Sequence, residues 1–345
     1  VIEDLTVQPM PGSRGAVTKE AFLDQVSDIL LPLTRKSRRV GLCFSYAAEI
    51  LPNRDGRVVA ISKQVQITGS EGMLLGEEIS AALAAKGAPG VEFVVLNDTV
   101  AAVLGGVAGL EDEVFDGYAG LIYGTGVNTC YSERRENIAK LSTPWPAASM
   151  LINMESGGFC GVPQGTFDRR LDAGSMDAGK CLYEKMVSGR YQGEVIYHAL
   201  RQGAEDGLFS SGLADTLRAL DGLELVEADA FAARPYGGGL LSAACGSERD
   251  RELVYTIIDR SVERAARLVC CNLAAVLEQA DLGRSIHRPA CVVAEGSTFY
   301  KGYLFRRKLE RLCHTYITEE LGRHLVFRRV ENANLLGTAA AALLA

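Results

Sequence analysis

Two short apolar runs, RRVGLCF (38–44) and VEFVVL (91–96), flank GMLLGEEISAALAAKG (72–87), whose apolar residues recur at helical spacing. An apolar run without alternation belongs to a strand buried on both faces. Strands of that kind separated by a helix are joined by a parallel crossover, which restricts the chain to an α/β sheet. Gly87 marks the helix stop, and TKEAFLDQVSDILLPL (18–33) predicts a second amphipathic helix.

The same alternation returns later. AGLIYGTGVNTCY (119–131) is strand-rich, and residues 165 to 282 are mostly helical in pattern. The longest helical segment, 248–280, opens with a possible capping box, Ser247 with Asp250. PACVVAEG (289–296) and HLVFRRV (324–330) predict two more strands, and an Ala-rich helix ends the chain. GGG at 237–239 predicts a flexible loop. A length of 345 residues suits roughly two domains.

Composition narrows the function. A net charge of −7, with no large Lys/Arg run, argues against a nucleic-acid binder, which needs a basic face to displace counterions. Nine cysteines without a CxxC pair point to free thiols in a reducing compartment, hence a cytoplasmic protein. Four dispersed histidines without HExxH argue against a zinc hydrolase, and no metal-ligating set is expected. No apolar run approaches the roughly 18 residues of a membrane helix, so no membrane partner is expected.

Five polar clusters interrupt this background. VVLNDTV (94–100) puts Asn97 and Asp98 where a buried strand ends, the place where α/β sheets collect ligands. Asp98 there either N-caps the following helix or accepts a proton from a hydroxyl nucleophile. In GLIYGTGVNTCY (120–131) the turn Gly124-Thr125-Gly126 is either a plain hairpin or a phosphate-approaching loop, with Asn128 close behind. MLINMESGGFCG (150–161) places Glu155 before a glycine pair, and KCLYEKMVSGRYQGE (180–194) places Glu184 on a helix among apolar neighbours. AEGSTFYKG (294–302) predicts a strand running into a long helix, with Gly296, Ser297 and Thr298 at an anion-attracting N-terminus. Each cluster alone is more simply structural.

Their order changes the reading. FSYAAEIL, ISKQV, VVLNDTV, GLIYGTGVNTCY, INMESGGF, DRRLDAGSMDAGKCLYEKMVSGRYQGE and VVAEGSTFY resemble successive signatures of the hexokinase family, from about residue 8 to the C-terminus. The resemblance implies the two-domain actin-like (ribonuclease-H-like) ATPase fold, closing on sugar and nucleotide. A small domain is expected at 1–97 with 336–345, and a large one at 98–335. The implied reaction is ATP-dependent phosphorylation of a hexose, glucose first among them, at its 6-hydroxyl, with Mg²⁺. By motif position Asp98 becomes the base, assisted by the charge of Lys63. Ser45, Ser62, Lys63, Asn97, Asn128, Glu155 and Glu184 become sugar contacts, and Gly124, Thr125, Gly126, Gly296 and Ser297 nucleotide contacts.

The chain also departs from the family pattern. Ser-Phe-Pro is replaced by Ser45-Tyr46-Ala47, Trp-Thr-Lys-Gly by Ile61-Ser62-Lys63-Gln64, the Trp after the family Glu by Ser156, and Asp-Gly by Glu295-Gly296. NANLLGTAAAA (332–342) stands where a Gly-rich pattern is usual. The family's Asp-x-Gly-Gly-Thr-Asn hairpin does not occur, and a piece carrying it is expected to precede Val1. A sugar sensor without turnover and a kinase for another hexose remain as alternatives.

Overall fold

A computed structural model describes residues 2–3, 5–61, 65–140 and 147–344. Its first elements are β1 (Val17–Thr18), α1 (Lys19–Leu30), β2 (Arg39–Cys43), β3 (Ala47–Ile50), β4 (Gly56–Ala60), β5 (Ile67–Thr68), α2 (Leu75–Ala85), β6 (Glu92–Leu96) and α3 (Asp98–Gly109). Strands β7 (Gly117–Tyr123), β8 (Val127–Arg134) and β9 (Ser149–Asn153) follow. The helical stretch holds α4 (Thr166–Gly174), α5 (Leu182–Val187), α6 (Gly189–Glu205), α7 (Ser211–Ala219), α8 (Leu225–Ala233), α9 (Leu240–Ala244) and α10 (Glu248–Gln279). The chain closes with β10 (Ala290–Glu295), α11 (Ser297–Lys301), α12 (Phe305–Leu312), β11 (Leu325–Arg328) and α13 (Ala333–Leu343).

Two compact units result, Val1–Glu111 with Val330–Ala345, and Asp112–Arg329. In the first, β2 and β6 pair in parallel from Arg39↔Glu92 to Cys43↔Leu96. The apolar face of α2, with Ile79 and Leu83, packs with Val91 and with α1 residues Leu23 and Val26. α3 lies against α13 at short range: a Cβ on Gly105 or Gly337 would strike the carbonyl of Ala333 or Ala101. That packing puts α3 in the first unit, so the boundary falls after Glu111 and not at Asn97/Asp98, and returns at Val330 instead of 336.

The second unit is built on a five-stranded sheet of order β11-β10-β7-β8-β9. β10 is parallel to both β11 and β7, and β8 is antiparallel to β7 and β9. The first five residues of β10 are all buried, as its continuous apolar run requires. α10 buries Val254, Ile258, Val262, Ala265, Val269, Leu273 and Val276 along one face, and Ser247 with Asp250 forms the expected capping box.

Two helices are shorter than their sequence pattern. The segment 180–194 breaks at Ser188 (φ −75, ψ 157), because Gly189 N–H leaves the helix direction and donates to the Gly124 carbonyl at 2.8 Å. The helix after β10 spans only Ser297–Lys301, ending where Gly302 approaches the Thr298 carbonyl. A five-residue helix has little of the dipole expected to attract an anion at Ser297.

Candidate active site

The first unit carries Asp98 at the carboxyl end of β6. Asn97, not Asp98, caps α3: its Oδ1 accepts from Thr99 N–H at 2.9 Å. Asp98 is the first residue inside the helix, which leaves its carboxylate outside the capping bond. The Thr99 hydroxyl donates to Asp98 Oδ1 at 3.2 Å, and the Thr99 backbone and the Ser45 side chain also act to hold the charge of this carboxylate. Burial raises the Asp98 pKa above the usual carboxylate range, partly opposed by those bonds. The Cys43 thiol close by is pushed up to about 11 by burial and then by the Asp98 charge. Ser62 and Lys63 lie outside the described residues.

The second unit brings Asn128, Glu155 and Glu184 together. β8 supplies Asn128, the turn after β9 supplies Glu155, and α5 supplies Glu184. Asn128 Oδ1 accepts from two backbone N–H groups, Thr129 at 2.7 Å and Ser156 at 3.2 Å. Its Nδ2 donates to Asn153 Oδ1 at 2.7 Å, and Asn153 Nδ2 donates to Glu155 Oε1 at 2.7 Å. Glu155 is held in the left-handed region (φ 49, ψ 44), a costly conformation for a residue with a Cβ and one concentrated at functional sites. Beneath it, the hydroxyls of Thr129 and Ser156 meet at 3.0 Å, and Asn272 Nδ2 donates to Thr129 at 2.6 Å.

Glu184 Oε2 accepts from Val127 N–H at 3.1 Å. Gly126 and Gly157 make room for it: a Cβ at either would come within 2.8 or 3.1 Å of the same oxygen. Burial raises the Glu184 pKa, and the neighbouring charge of Glu155 adds to the rise against the opposing Val127 bond. Next to it on α5, Lys185 is buried, 1% exposed, and ion-paired with Asp172 at 2.7 Å and Asp177 at 3.0 Å. These pairs fix the loop that leads into α5.

The GTG turn closes the β7–β8 hairpin, with Gly124 N–H donating to the Gly126 carbonyl at 3.0 Å. The Gly124 and Thr125 carbonyls accept from Gly189 and Arg190 at the start of α6, at 2.8 and 3.4 Å. Gly296 and Ser297 abut Gly124, 3.7 and 4.0 Å from the place of its Cβ. Gly296, at φ 116, sits so close to the Tyr123 carbonyl that no side chain fits. Thr125 itself is exposed, and among the described residues no hydrogen bond engages its hydroxyl. The sequence motifs thus meet within each unit: Asn97, Asp98 and Ser45 in the first, and the other two groups in the second.

Three residues of this network escaped the sequence reading: Asn153, Thr129 and Asn272. Asn153 left a trace, a polar residue ending an apolar strand. Asn272 left none, since it comes from α10, more than a hundred residues away in the chain.

Two family models, each described as hexokinase, match residues 118–344 and 18–107. The chain belongs to the hexokinase family. Hexokinases are phosphotransferases with an alcohol group as acceptor. The chain is 26% identical over 369 residues to Hexokinase-4 of Arabidopsis thaliana, covering 98% of this chain and 73% of that protein. It is 29% identical over 322 residues to Hexokinase-1 of Nicotiana tabacum, but spans 64% of that protein's length. Among solved structures, the hexokinase of Schistosoma mansoni complexed with glucose superposes with a TM-score of 0.76 at 20% identity, over 98% of this chain and 78% of that one. A ROK family glucokinase from Streptomyces griseus, in complex with glucose and AMPPNP, gives 0.54 at 17% identity, over 97% and 90%. At such identities the structural likeness shows the fold, which is the α/β fold of actin-like ATPases.

Proposed function

We propose that the chain phosphorylates a hexose, glucose first among them, at its 6-hydroxyl with ATP as donor. The observation that carries this reading is the hydrogen-bond polarity around Glu184. Oε2 of Glu184 and Oε1 of Glu155 are spent on protein donors, and so are the oxygen and one N–H of Asn128. Among the described residues each group keeps one function without a protein partner: a carboxylate oxygen on each acid and one N–H on the amide. Vicinal sugar hydroxyls, each both donor and acceptor, match such a mixed set.

Asp98 acts as the base on the reacting hydroxyl, with Ser45 and Asn97 as neighbouring sugar contacts and Ser62 and Lys63 in the roles that family position gives them. A raised pKa suits that task, since a base works best when its pKa approaches the operating pH. The exposed Thr125, in a turn lined by Gly124, Gly126, Gly296 and Ser297, has the small side chains and free hydroxyl that a phosphate group needs. A divalent ion such as Mg²⁺ would supply charge neutralisation for the transfer. All nine cysteines are free thiols, which supports a cytoplasmic setting. Among the described residues no helix is long and apolar enough to cross a membrane.

A panel of hexoses assayed by coupled ADP detection tests the proposal. Glucose-dependent ADP release is expected in the unaltered protein and is expected to vanish in Asp98→Ala, with sugar affinity kept within a few-fold. Full turnover in that variant would sink the assignment of the base.

A further inference from the structure

We infer that Asn153 is a positioning residue that sets the polarity of the sugar site, which rests on the reading of that site given above. The orientation of an amide is normally ambiguous between its oxygen and nitrogen. Here it is forced. The Thr129 and Ser156 backbone groups can only donate, so the Asn128 atom they share must be the oxygen. Asn128 therefore turns its NH₂ toward Asn153 at 2.7 Å, and the Asn153 atom receiving it must be the oxygen. That leaves the Asn153 NH₂ facing Glu155 Oε1 at 2.7 Å. Two backbone amides thus fix the orientation of Asn128, and Asn153 carries that polarity on to the Glu155 carboxylate.

Asn153 is suited to this relay because it must accept on one side and donate on the other. Its place at the end of β9, opposite Cys130 of β8, holds both ends in register. An Asp at 153 keeps the acceptor and loses the donor. Protonated, its hydroxyl replaces the missing N–H toward Glu155; ionised, it repels Glu155. The other titratable groups near this pair are Glu184 on α5, with Asp177 and Arg190 beyond it, and Cys130, whose buried thiol is pushed up to about 12. None of these is altered by the substitution, so the change in pH response belongs to position 153.

Glucose affinity of the unaltered chain, Asn153→Asp and Asn153→Ala, measured by calorimetry from pH 5 to pH 8, tests the inference, with thermal unfolding followed in parallel. Asn153→Ala is expected to weaken glucose binding roughly tenfold at every pH. Asn153→Asp is expected to approach the unaltered affinity at low pH and to lose it progressively as pH rises. A purely structural role would lower the unfolding temperature of both variants without giving Asn153→Asp its own pH profile, and that result overturns the inference. An unaltered chain that binds no hexose overturns the reading of the site, and the inference with it. A binding chain whose Asn153→Asp variant follows the unaltered profile overturns the inference alone.

Discussion

Replacing Glu184 by Gln removes one charge and almost no volume, and the surroundings dictate how the new side chain turns. Val127 N–H can only donate, so it holds the Gln oxygen where it now holds Oε2, at 3.1 Å. The NH₂ must then occupy the outward position, which turns a charged acceptor into a donor. A hydrogen bond to a charged group is worth about 1.5–3 kcal/mol. At about 1.4 kcal/mol per decade, glucose affinity falls about 10- to 150-fold. Stability moves the other way. The Glu184 pKa is raised in the folded chain by burial and by Glu155, so its ionised form opposes folding at neutral pH. That opposition is fully present above the folded pKa and disappears as pH falls through the ordinary carboxylate range. Glu184→Gln should therefore unfold at the same or a higher temperature at pH 7, with the advantage shrinking as pH falls through the raised Glu184 pKa and gone below the ordinary carboxylate value. Calorimetric glucose titrations and thermal melts at two pH values read both effects. Glucose affinity unchanged within twofold, in a folded variant, would refute the polarity argument.

Gly126→Ala should weaken sugar binding more than ATP binding, because its Cβ would come within 2.8 Å of Glu184 Oε2; paired titrations with glucose and ATP decide it. Lys185→Met removes the buried ammonium that holds the half-buried Asp172 carboxylate and should cost about 1.5–3 kcal/mol in urea unfolding, the usual worth of a hydrogen bond to a charged group. In a pH–rate profile, the acid limb of kcat/KM should lie above the ordinary carboxylate range: activity falls as pH drops through the raised Asp98 pKa and the base takes up a proton. A limb at the ordinary Asp value would remove Asp98 from that role.

Much of the fold is legible because its signals are local. The continuous apolar runs of β2, β6 and β10 and the Ser247 cap of α10 are set by neighbours in the chain. What the sequence hides comes from distant partners. Nothing within 180–194 says that the helix breaks at Ser188, since the acceptor that redirects it is the carbonyl of Gly124. Nor does the boundary between units show locally, because α3 joins the first unit only through its approach to α13, more than two hundred residues on. The site follows the same division. Asp98, Glu155 and Glu184 are visible as polar residues in apolar company, whereas Asn272 becomes part of the network only once α10 packs beneath β8.

The GTG turn shows why an isolated motif is ambiguous. A hairpin needs only that the chain reverse, and a phosphate loop needs only that backbone come close to an anion; glycines satisfy both. In the structure the three positions answer to different demands. Gly124 packs against Gly296 and Ser297 and gives its carbonyl to the start of α6. Thr125 alone faces outward, with its hydroxyl uncommitted among the described residues. Gly126 is small because Glu184 must reach Val127 N–H past it. One three-residue turn therefore ties Glu184, the proposed sugar contact, to Gly296 and Ser297, the proposed phosphate cradle, within a single unit. A change at Gly126 that shifts Glu184 also moves the donor that fixes its polarity, so the two halves of the site cannot vary independently at this turn.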